Sequence, residues 1–325
     1  MIKTAVITGI TGQDGAYLAQ LLIKENYNVI GLTRSNNNLN TSNFKYLKIE
    51  HKIKIEECDL LDFSSIIKIL LKYKPHEFYN LAAQSSVGVS FEQPIGTINY
   101  NTQSVLNILE SIRLLQLDTK VYQASSSEMF GLVKSLPVSE TTPLHPLSPY
   151  AISKASGYWI GINYRESYGV HCVNGVLFNH ESYLRGTNYF VKKVIKTSLD
   201  IKKNFVNELC VGNIDVKRDF GFAPDYVRAM WLSLQQNTAG DYIICSGSSV
   251  YLRDIISYVF DHFGISNDKL IEDPALFRPT DIEDIYGDNT KAKTLLKWEY
   301  DKSFFDVLDI LISEEKNNYN KNFGL

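Results

Sequence analysis

The sequence is poor in cysteine, and the few that it has are far apart. Cys58, Cys172, Cys210 and Cys245 are the only four in 325 residues, and no two of them form a C-x-x-C pair. Neither a metal site of the zinc-knuckle type nor a disulfide framework is indicated. We expect buried free thiols in a reducing compartment and no bound metal.

Long apolar runs and a strong charge imbalance are also missing. No stretch is long and apolar enough to span a bilayer, and no signal-peptide pattern precedes the first predicted strand. The formal net charge is only −3, which gives no general attraction to nucleic acid or to an anionic membrane. We therefore expect a cytoplasmic protein with neither a membrane nor a nucleic-acid partner.

The composition is that of an ordinary globular protein, since 44% of the residues are apolar and 21% are charged. Strand-like and helix-like segments alternate through the first half, which predicts an α/β fold with a doubly wound parallel sheet of the Rossmann type. We expect residues 1–178 to form the Rossmann domain, to which a segment around 212–246 returns. Residues 179–325 are expected to form most of a smaller C-terminal substrate-binding domain.

Three glycines at three-residue spacing follow the first predicted strand. Gly9, Gly12 and Gly15 come directly after an apolar run and open a helix-like segment. In a Rossmann fold such glycines allow a tight turn, a close approach of the backbone to a pyrophosphate, and close packing of helix on strand. The free N–H groups at the helix start favour the anion. Glycines at a turn can also serve geometry alone, but this order of strand, turn and helix predicts a dinucleotide site. Its expected residues are Gly9, Thr11, Gly12, Gln13, Asp14 and Gly15.

The end of the second predicted strand, 28–32, carries no acidic residue of the kind that binds the ribose 2′-OH of NAD. Arg34 stands there instead, and its guanidinium suits the 2′-phosphate of NADP. NADP is therefore the predicted cofactor and NAD the alternative, unless Arg34 is simply a solvated surface residue. Asp59 could bind the adenine amine or cap the next helix. Further cofactor contacts are expected at the ends of later strands, from Asp59, Leu60, Leu81, Ala82 and Ala83.

The sequence also predicts the bounds of one loop, two helices and the C-terminal tail. Residues 35–46 are polar and contain five asparagines, which predicts an exposed loop. Apolar stripes predict helices over 99–115 and 304–316. The last residues, 317–325, are polar and are expected to form a frayed tail.

Tyr150 and Lys154 lie four residues apart, just after Pro149 at a predicted helix start. On a helix this spacing places both side chains on one face. A phenol has an unperturbed pKa of about 10, too high for a base at neutral pH, and a neighbouring ammonium is expected to lower that pKa. The tyrosine could then remove a proton from a sugar hydroxyl. The Y-x-x-x-K pattern also arises by chance, but here it follows a dinucleotide turn.

A hydroxyl cluster with a carboxylate, Ser125-Ser126-Ser127-Glu128, follows the predicted strand 120–124. Ligands of open α/β sheets bind beyond the carboxyl ends of the strands, so a catalytic role for Ser126 and Glu128 is one interpretation. A helix cap of the Ser-x-x-Glu type is the other. The tyrosine and lysine further along the chain favour the catalytic interpretation.

Together these motifs resemble those of the extended short-chain dehydrogenase/reductase superfamily, and more closely those of the GDP-mannose 4,6-dehydratases. The matching segments run along almost the whole chain, and GITGQDGAYL and FNHES are specific to this branch. They include GITGQDGAYLAQLL, YNLAAQSSVGVSFEQP, YQASSSEMFG, SPYAISK, LFNHES, GNIDVKRDFG and FRPTDIEDIYGDNTKAKTLL.

The resemblance implies an internal redox cycle on a GDP-linked hexose. Tyr150, assisted by Lys154, would deprotonate the C4 hydroxyl while Ser126 hydrogen-bonds the C4 oxygen, and hydride would pass to NADP+. Glu128 would then remove the C5 proton, the C6 hydroxyl would leave as water, and hydride would return to C6. A plain reductase or epimerase needs no C5 base, so Glu128 is the discriminating residue.

The resemblance also implies contacts made by the second half of the chain. Arg185 would serve the cofactor or a subunit contact, and a homodimer or homotetramer is expected. Ser86 stands where the family usually has a histidine, so the accepted hexose could differ. The expected substrate contacts are Ser85, Ser86, Asn179, Lys193, Arg218 and Arg278.

The predicted function is therefore that of a GDP-sugar 4,6-dehydratase, with GDP-mannose as the first choice of substrate. A dehydratase of another GDP-hexose, such as GDP-N-acetylglucosamine, is one alternative, and a nucleotide-sugar 4-reductase or epimerase is another. A non-catalytic dinucleotide sensor with the same fold would be free to lose Tyr150, Lys154 or Glu128, and all three are present.

Overall fold

The structure is a computed structural model, and it describes residues 2–37 and 39–323. Its strands are β1 (Thr4–Thr8), β2 (Asn28–Thr33), β3 (Ile53–Glu57), β4 (Glu77–Asn80), β5 (Lys120–Ser126), β6 (Cys172–Leu177), β7 (Asn179–Glu181), β8 (Leu209–Val211), β9 (Lys217–Phe222), β10 (Asp241–Ile244), β11 (Ser249–Tyr251) and β12 (Leu270–Glu272). Its helices are α1 (Gln13–Lys24), α2 (Ser42–Leu47), α3 (Phe63–Tyr73), α4 (Val87–Glu92), α5 (Pro94–Leu114), α6 (Pro149–Tyr168), α7 (Phe190–Lys202), α8 (Ala223–Leu234), α9 (Leu252–Phe263), α10 (Thr290–Leu296) and α11 (Phe304–Phe323).

A seven-stranded sheet in the order β10-β6-β5-β4-β1-β2-β3 is the centre of the fold. Every pair of neighbours in it is parallel. Such a sheet needs apolar strands because helices cover both of its faces, and Ala5, Val6 and Ile7 of β1 are fully buried. The predicted α/β fold with a doubly wound parallel sheet is confirmed.

The strand order reverses beside β1, and this reversal places the site. β2 and β3 extend the sheet on one side of β1, while β4, β5, β6 and β10 extend it on the other. The loops after β1 and β4 therefore leave the sheet in opposite directions and open a crevice between them. Open α/β sheets bind their ligands in such a crevice.

The second half of the chain builds two small sheets, β11-β9-β7 and β12-β8. Apolar side chains of α7, α9 and α11 form a separate core cluster there. Two later elements return to the large sheet, since β10 pairs with β6 and α8 packs against α1. A domain boundary at residue 178 stays a prediction.

Three predicted boundaries are wrong. The helix predicted over 99–115 begins five residues earlier, because Pro94 occupies its first position and Thr97 is buried in its first turn. The predicted loop 35–46 contains the start of α2, which forms because Phe44 is buried beneath it. Asn38 lies outside the described residues.

The predicted frayed tail is helical instead, since α11 continues past residue 316 to Phe323. Two of its side chains make contacts: the Asn318 amide donates to the Glu314 carbonyl oxygen at 2.8 Å, and the Lys203 ammonium lies 5.5 Å from the Tyr319 ring centroid. The last two residues of the predicted tail lie outside the described residues. Among the helices described, none combines the length and the apolar character needed to cross a bilayer.

Candidate active site

The turn between β1 and α1 has the shape that its glycines predict. Gly9 has a φ of +67°, a conformation that side chains disfavour, and a Cβ there would lie only 3.0 Å from the Ala82 nitrogen. A Cβ on Gly15 would lie 2.4 Å from the Gly9 carbonyl oxygen. Gly12 donates to that same oxygen at 3.0 Å and is the last residue before α1. The free N–H groups of the α1 start are thereby directed into the crevice.

Two cavities that share several lining residues run along this turn. One, of about 1120 Å³, extends from Gly9 to Arg34, and the other, of about 700 Å³, extends from Gly9 to Arg185. Arg34 lies over the Tyr100 ring at the far end, 5.8 Å from the ring centroid. The predicted cofactor residues that line one or both of these cavities are Gly9, Thr11, Gly12, Gln13, Asp14, Gly15, Arg34, Leu60, Leu81, Ala82, Ala83 and Arg185.

Asp59 is the exception among the predicted cofactor residues. Its side chain is exposed and accepts a hydrogen bond from the Leu61 nitrogen at 3.0 Å, and it lines neither cavity. It does not cap α3 either, because Asp62 holds that place and accepts from the Ser64 nitrogen. An Asx-type turn explains the residue.

A third cavity, of about 430 Å³, brings the four predicted catalytic side chains together. Ser126, Glu128, Tyr150 and Lys154 all line it. Ser126 is the last residue of β5, and Glu128 lies in the 3₁₀ turn that follows. Tyr150 and Lys154 are on the first turns of α6, whose start is fixed by Pro149 and by the Ser148 hydroxyl cap.

Lys154 is buried, with its ammonium held by the backbone of the neighbouring strand. Its Nζ donates to the Ala124 carbonyl oxygen at 2.8 Å. Burial lowers the pKa of Lys154 to about 8, although Asp14 opposes the change. A lysine with such a pKa exchanges its charge near physiological pH, which is an ordinary property of catalytic lysines.

The pKa of Tyr150 differs from the expectation. Burial raises the pKa of Tyr150 to about 12; a hydrogen bond with Ser126 works against the rise, and Glu128 adds to it. Lys154 does not offset burial, because its ammonium bonds the Ala124 carbonyl and lies 5.9 Å from the Tyr150 ring centroid. The protein alone therefore does not lower this pKa.

The serine cluster does contain a cap, but it is not the predicted Ser-x-x-Glu type, because Ser126 rather than Ser125 is the cap residue. The Ser126 hydroxyl caps the 3₁₀ turn by accepting from the Glu128 nitrogen at 3.3 Å. Both side chains nevertheless line the cavity with Tyr150. The cap fixes where the Glu128 backbone lies, while the carboxylate stays available to a ligand.

Of the predicted substrate residues, five of six line the same cavity: Ser85, Ser86, Asn179, Lys193 and Arg278. Arg218 does not. Its buried guanidinium bonds Asp281 and the carbonyl oxygens of Lys217 and Ile282. The prediction of Arg218 as a direct phosphate ligand is not supported by this arrangement, although Glu128 contributes to its electrostatic surroundings.

Several residues that line the site were not predicted from the sequence, and Tyr189 and His180 are the two with the most specific contacts. Tyr189 bonds the Ser85 hydroxyl at 2.6 Å, and its ring lies 3.7 Å from the Arg185 guanidinium carbon. No local pattern marks it. His180 belongs to the FNHES motif, which by itself predicts no role for this side chain. In the described part of the chain, no group of three or more His, Cys, Asp or Glu side chains could hold a metal ion.

His180 forms an ion pair with Asp14 at the start of α1. Its ring nitrogens lie 2.6 Å from the Phe178 carbonyl oxygen and 2.9 Å from Asp14 Oδ2. Both partners are acceptors, so the ring can satisfy both only as an imidazolium. Burial opposes the charge, but Asp14 outweighs it and the pKa of His180 is raised. In turn His180 outweighs burial at Asp14 and lowers the pKa of that carboxyl to about 2.

We expect His180→Gln to destabilise the protein most in mildly acidic solution. The lowered pKa of Asp14 contributes its full stability above the unfolded pKa of about 3.9. The raised pKa of His180 contributes its full stability below the unfolded pKa of about 6.5, and this stability is lost as the pH rises through the pKa of His180 in the folded protein. The pair is therefore complete between these limits. Urea unfolding at fixed protein concentration should show a loss of about 3 kcal/mol at pH 5.5 and a smaller loss at pH 8.5. Asp14→Asn is the matched variant, and an equal loss at both pH values would contradict the assignment.

The comparisons with known proteins agree with this geometry. The family model described as GDP-mannose 4,6 dehydratase matches residues 6–311. GDP-mannose 4,6 dehydratase 1 of Arabidopsis thaliana is 42% identical, with 96% of this chain and 90% of that protein covered. GDP-mannose 4,6-dehydratase of Sinorhizobium fredii is 39% identical, with 96% of each covered.

A solved structure shows the same fold at lower identity. DesIV, a dTDP-glucose 4,6-dehydratase from Streptomyces venezuelae with NAD and TYD bound, has a TM-score of 0.87, is 20% identical, and matches over 97% of each chain. The full-length sequence relatives go further than the fold, and they confirm the resemblance that the motifs predicted. The chain belongs to the GDP-mannose 4,6-dehydratase family.

Proposed function

We propose that this protein is an NADP-dependent GDP-mannose 4,6-dehydratase. Family membership and the names of its full-length relatives support the reaction. The observation that carries the proposal is the position of Glu128, whose carboxylate lines the same cavity as Tyr150 and Lys154. A reductase or an epimerase needs no base for C5, whereas a dehydratase does.

The crevice residues fit a nicotinamide dinucleotide. The glycine turn would hold the pyrophosphate, Leu60 and Ala82 would contact the adenosine half, and Arg34 would bind a 2′-phosphate. Lys154 and Tyr150 would contact the nicotinamide half. When bound, NADP+ would supply a hydride acceptor for the sugar and later a hydride donor.

Tyr150 is the proposed base for the C4 hydroxyl. Its high pKa in the protein alone means that the phenolate needs further positive charge beside it. Lys154 offers one charge, and Ser126 offers a hydrogen bond to the same oxygen. We infer that the phenol becomes an effective base only when cofactor and substrate are both in the cleft.

Glu128 is the proposed base for C5. A ketone at C4 makes the C5 proton acidic, and a carboxylate within reach can remove it. Loss of the C6 hydroxyl as water then follows, and protonated Glu128 would supply the proton that the leaving hydroxyl needs. One side chain thus takes the proton from C5 and delivers one to the leaving hydroxyl.

The nucleotide half of the substrate would lie along the outer end of the cavity. Lys193 and Arg278 line the cavity, and guanidinium and ammonium groups are ordinary ligands of a diphosphate. Asn179 on β7 is also there, with its amide donating to the Asp219 carbonyl oxygen at 3.3 Å. These contacts accord with a GDP-linked substrate and leave the hexose to Ser85 and Ser86.

Conversion of GDP-mannose with a catalytic amount of NADP+ tests the proposal. We expect a GDP-4-keto-6-deoxy sugar, identified by mass spectrometry, with no net consumption of NADPH. Stoichiometric use of NADPH would instead favour a reductase. GDP-N-acetylglucosamine in a parallel reaction tests the alternative hexose, and its preferential conversion would overturn the choice of GDP-mannose.

Arg34→Ala should weaken the binding of NADPH much more than that of NADH. Loss of one charge-assisted contact to the 2′-phosphate corresponds to an affinity loss of about 10-fold or more. Fluorescence titration of both nucleotides measures the effect, and Arg228→Ala, a change at an exposed arginine on α8, is the control. An equal loss for both nucleotides would contradict NADP selectivity through this residue.

We also propose a cytoplasmic homodimer or homotetramer. Exposed apolar side chains on α5 and α6 support an oligomer, among them Ile95 at 76% exposure and Trp159 at 58%. Light scattering at several protein concentrations measures the oligomeric state directly.

A further inference from the structure

A row of buried polar side chains crosses the centre of the sheet. Thr8 of β1, Asn80 of β4 and Gln123 of β5 are register partners, and all three are buried. The Thr8 hydroxyl donates to Asn80 Oδ1 at 2.8 Å, and Asn80 Nδ2 donates to Gln123 Oε1 at 2.8 Å. Buried polar groups are costly unless they are satisfied, so a satisfied row in an apolar sheet indicates a specific use.

The row ends at the carbonyl that holds the candidate catalytic lysine. Gln123 Nε2 donates to the Ala124 carbonyl oxygen at 3.1 Å, and Lys154 Nζ donates to the same oxygen at 2.8 Å. β4 stops at Asn80, which is paired with Gln123, so Ala124 has no register partner in β4. A carbonyl oxygen has two lone pairs, and these two donors can occupy both.

The other end of the row reaches the dinucleotide turn. The Thr8 hydroxyl accepts from the nitrogens of Leu81 and Ala82, each at 3.0 Å. Thr8 directly precedes Gly9, and Ala82 lies against Gly9. One chain of hydrogen bonds therefore connects the floor of the cofactor crevice with Lys154.

We propose that Gln123 is a positioning residue for Lys154. Asn80 fixes the Gln123 amide by donating to its oxygen, so that its nitrogen must point toward Ala124. The Gln123 amide then occupies one lone pair of the Ala124 carbonyl oxygen. Only the other lone pair remains for the Lys154 ammonium, which fixes the direction from which it binds. This inference rests on the proposed function, because it takes Lys154 to be the residue that assists Tyr150 in removing the C4 proton.

Gln123→Met tests the inference, since methionine keeps the length of the side chain and removes both hydrogen bonds. We expect kcat for GDP-mannose to fall at least 10-fold while KM changes by less than about two-fold, because the base is misplaced and substrate contacts are untouched. A merely structural role would lower the melting temperature without this split between kcat and KM.

The reactivity of Lys154 gives a second readout that does not depend on turnover. Competitive acylation followed by mass spectrometry of the Lys154 peptide reports how available its amine is at each pH. We expect several-fold faster labelling in Gln123→Met than in the wild type, measured against surface lysines of the same sample. This readout remains valid if GDP-mannose proves not to be the substrate, so failure of the proposed function and failure of the inference are distinguishable.

Gln123→Glu covers the case in which the methionine variant does not fold, because a carboxylate still accepts from Asn80. It replaces the amide donor by an anion. Among the charges already present, Asp14 on α1 acts on Lys154 and opposes the lowering of its pKa by burial. The other titratable side chains that line the same cavity as Lys154 are Glu128, Tyr150, His180, Arg185, Tyr189, Lys193 and Arg278. We expect the acylation midpoint of Lys154 to rise by at least one pH unit and kcat to fall.

Asn174 provides the matched control. It is the β6 register partner of Gln123 and is equally buried, but its amide donates to the Tyr158 carbonyl oxygen and to Asp241 instead. Asn174→Ala should lower stability and leave both kcat and the labelling of Lys154 near wild type. The proposal would be overturned if Gln123→Met kept both the kcat and the Lys154 labelling rate of the wild type. It would also be overturned if Asn174→Ala lost as much kcat as Gln123→Met.

Discussion

Glu128→Gln should stop the loss of water from the sugar while still permitting oxidation at C4. The amide keeps the shape of the side chain and its place in the cleft, but it cannot take the C5 proton. Removing a general base typically costs about 10²- to 10⁴-fold in rate, so we expect turnover to the deoxy product to fall by that amount. With stoichiometric NADP+ supplied, GDP-4-keto-mannose and an equal amount of NADPH should form instead, because the hydride is not returned to C6.

Exchange of the C5 hydrogen with deuterated solvent measures the assigned step directly. The wild type should incorporate deuterium into the product, and Glu128→Gln should leave the accumulated ketone unlabelled at C5. Glu166→Gln, at an exposed position on α6, makes the same chemical change away from the cleft and should behave as wild type. Dehydration by Glu128→Gln at the wild-type rate would show that another group is the base.

Tyr150→Phe should abolish turnover while the cofactor still binds. Phenylalanine fills the same buried volume, but no oxygen remains to accept the C4 proton. We expect a loss of roughly 10³-fold or more in kcat/KM, with NADPH affinity within a few-fold of the wild type by fluorescence titration.

Tyr158→Phe is the matched control for that result. Tyr158 lies two turns further along α6, is also buried, and bonds Asp241 at 3.4 Å rather than facing the cleft. It should retain most of the activity. Substantial activity in Tyr150→Phe, or equal losses in both variants, would contradict the assignment of Tyr150 as the base.

The parts of the site that depend on local geometry were predictable from the sequence. The spacing of Tyr150 and Lys154 places them on one face of any helix, and the spacing of Gly9, Gly12 and Gly15 fits one kind of turn. Strand order then brings the end of β5 beside the start of α6. Short-range rules were sufficient for these residues because each motif lies within one or two elements.

The parts that depend on packing were not predictable. The pKa of Tyr150 rises because the surrounding chain excludes water, and no neighbour in the sequence reports that burial. Arg218 does not line the candidate cavity and bonds Asp281, which lies far along the chain. The helical end of α11 likewise depends on a distant partner, because Tyr319 packs on the cluster of α7 and α9 beside Lys203.

The edge strand β10 makes the folding of the first half depend on residues that are synthesised late. β6 is complete at Leu177, yet its outer neighbour begins only at Asp241. A nascent chain that has been synthesised past β6 but not yet as far as β10 exposes unpaired backbone groups along β6. Such an exposed edge strand can pair with other chains. We expect truncations between these strands to aggregate, and chimaeras of related enzymes to work best when β6 and β10 come from the same parent.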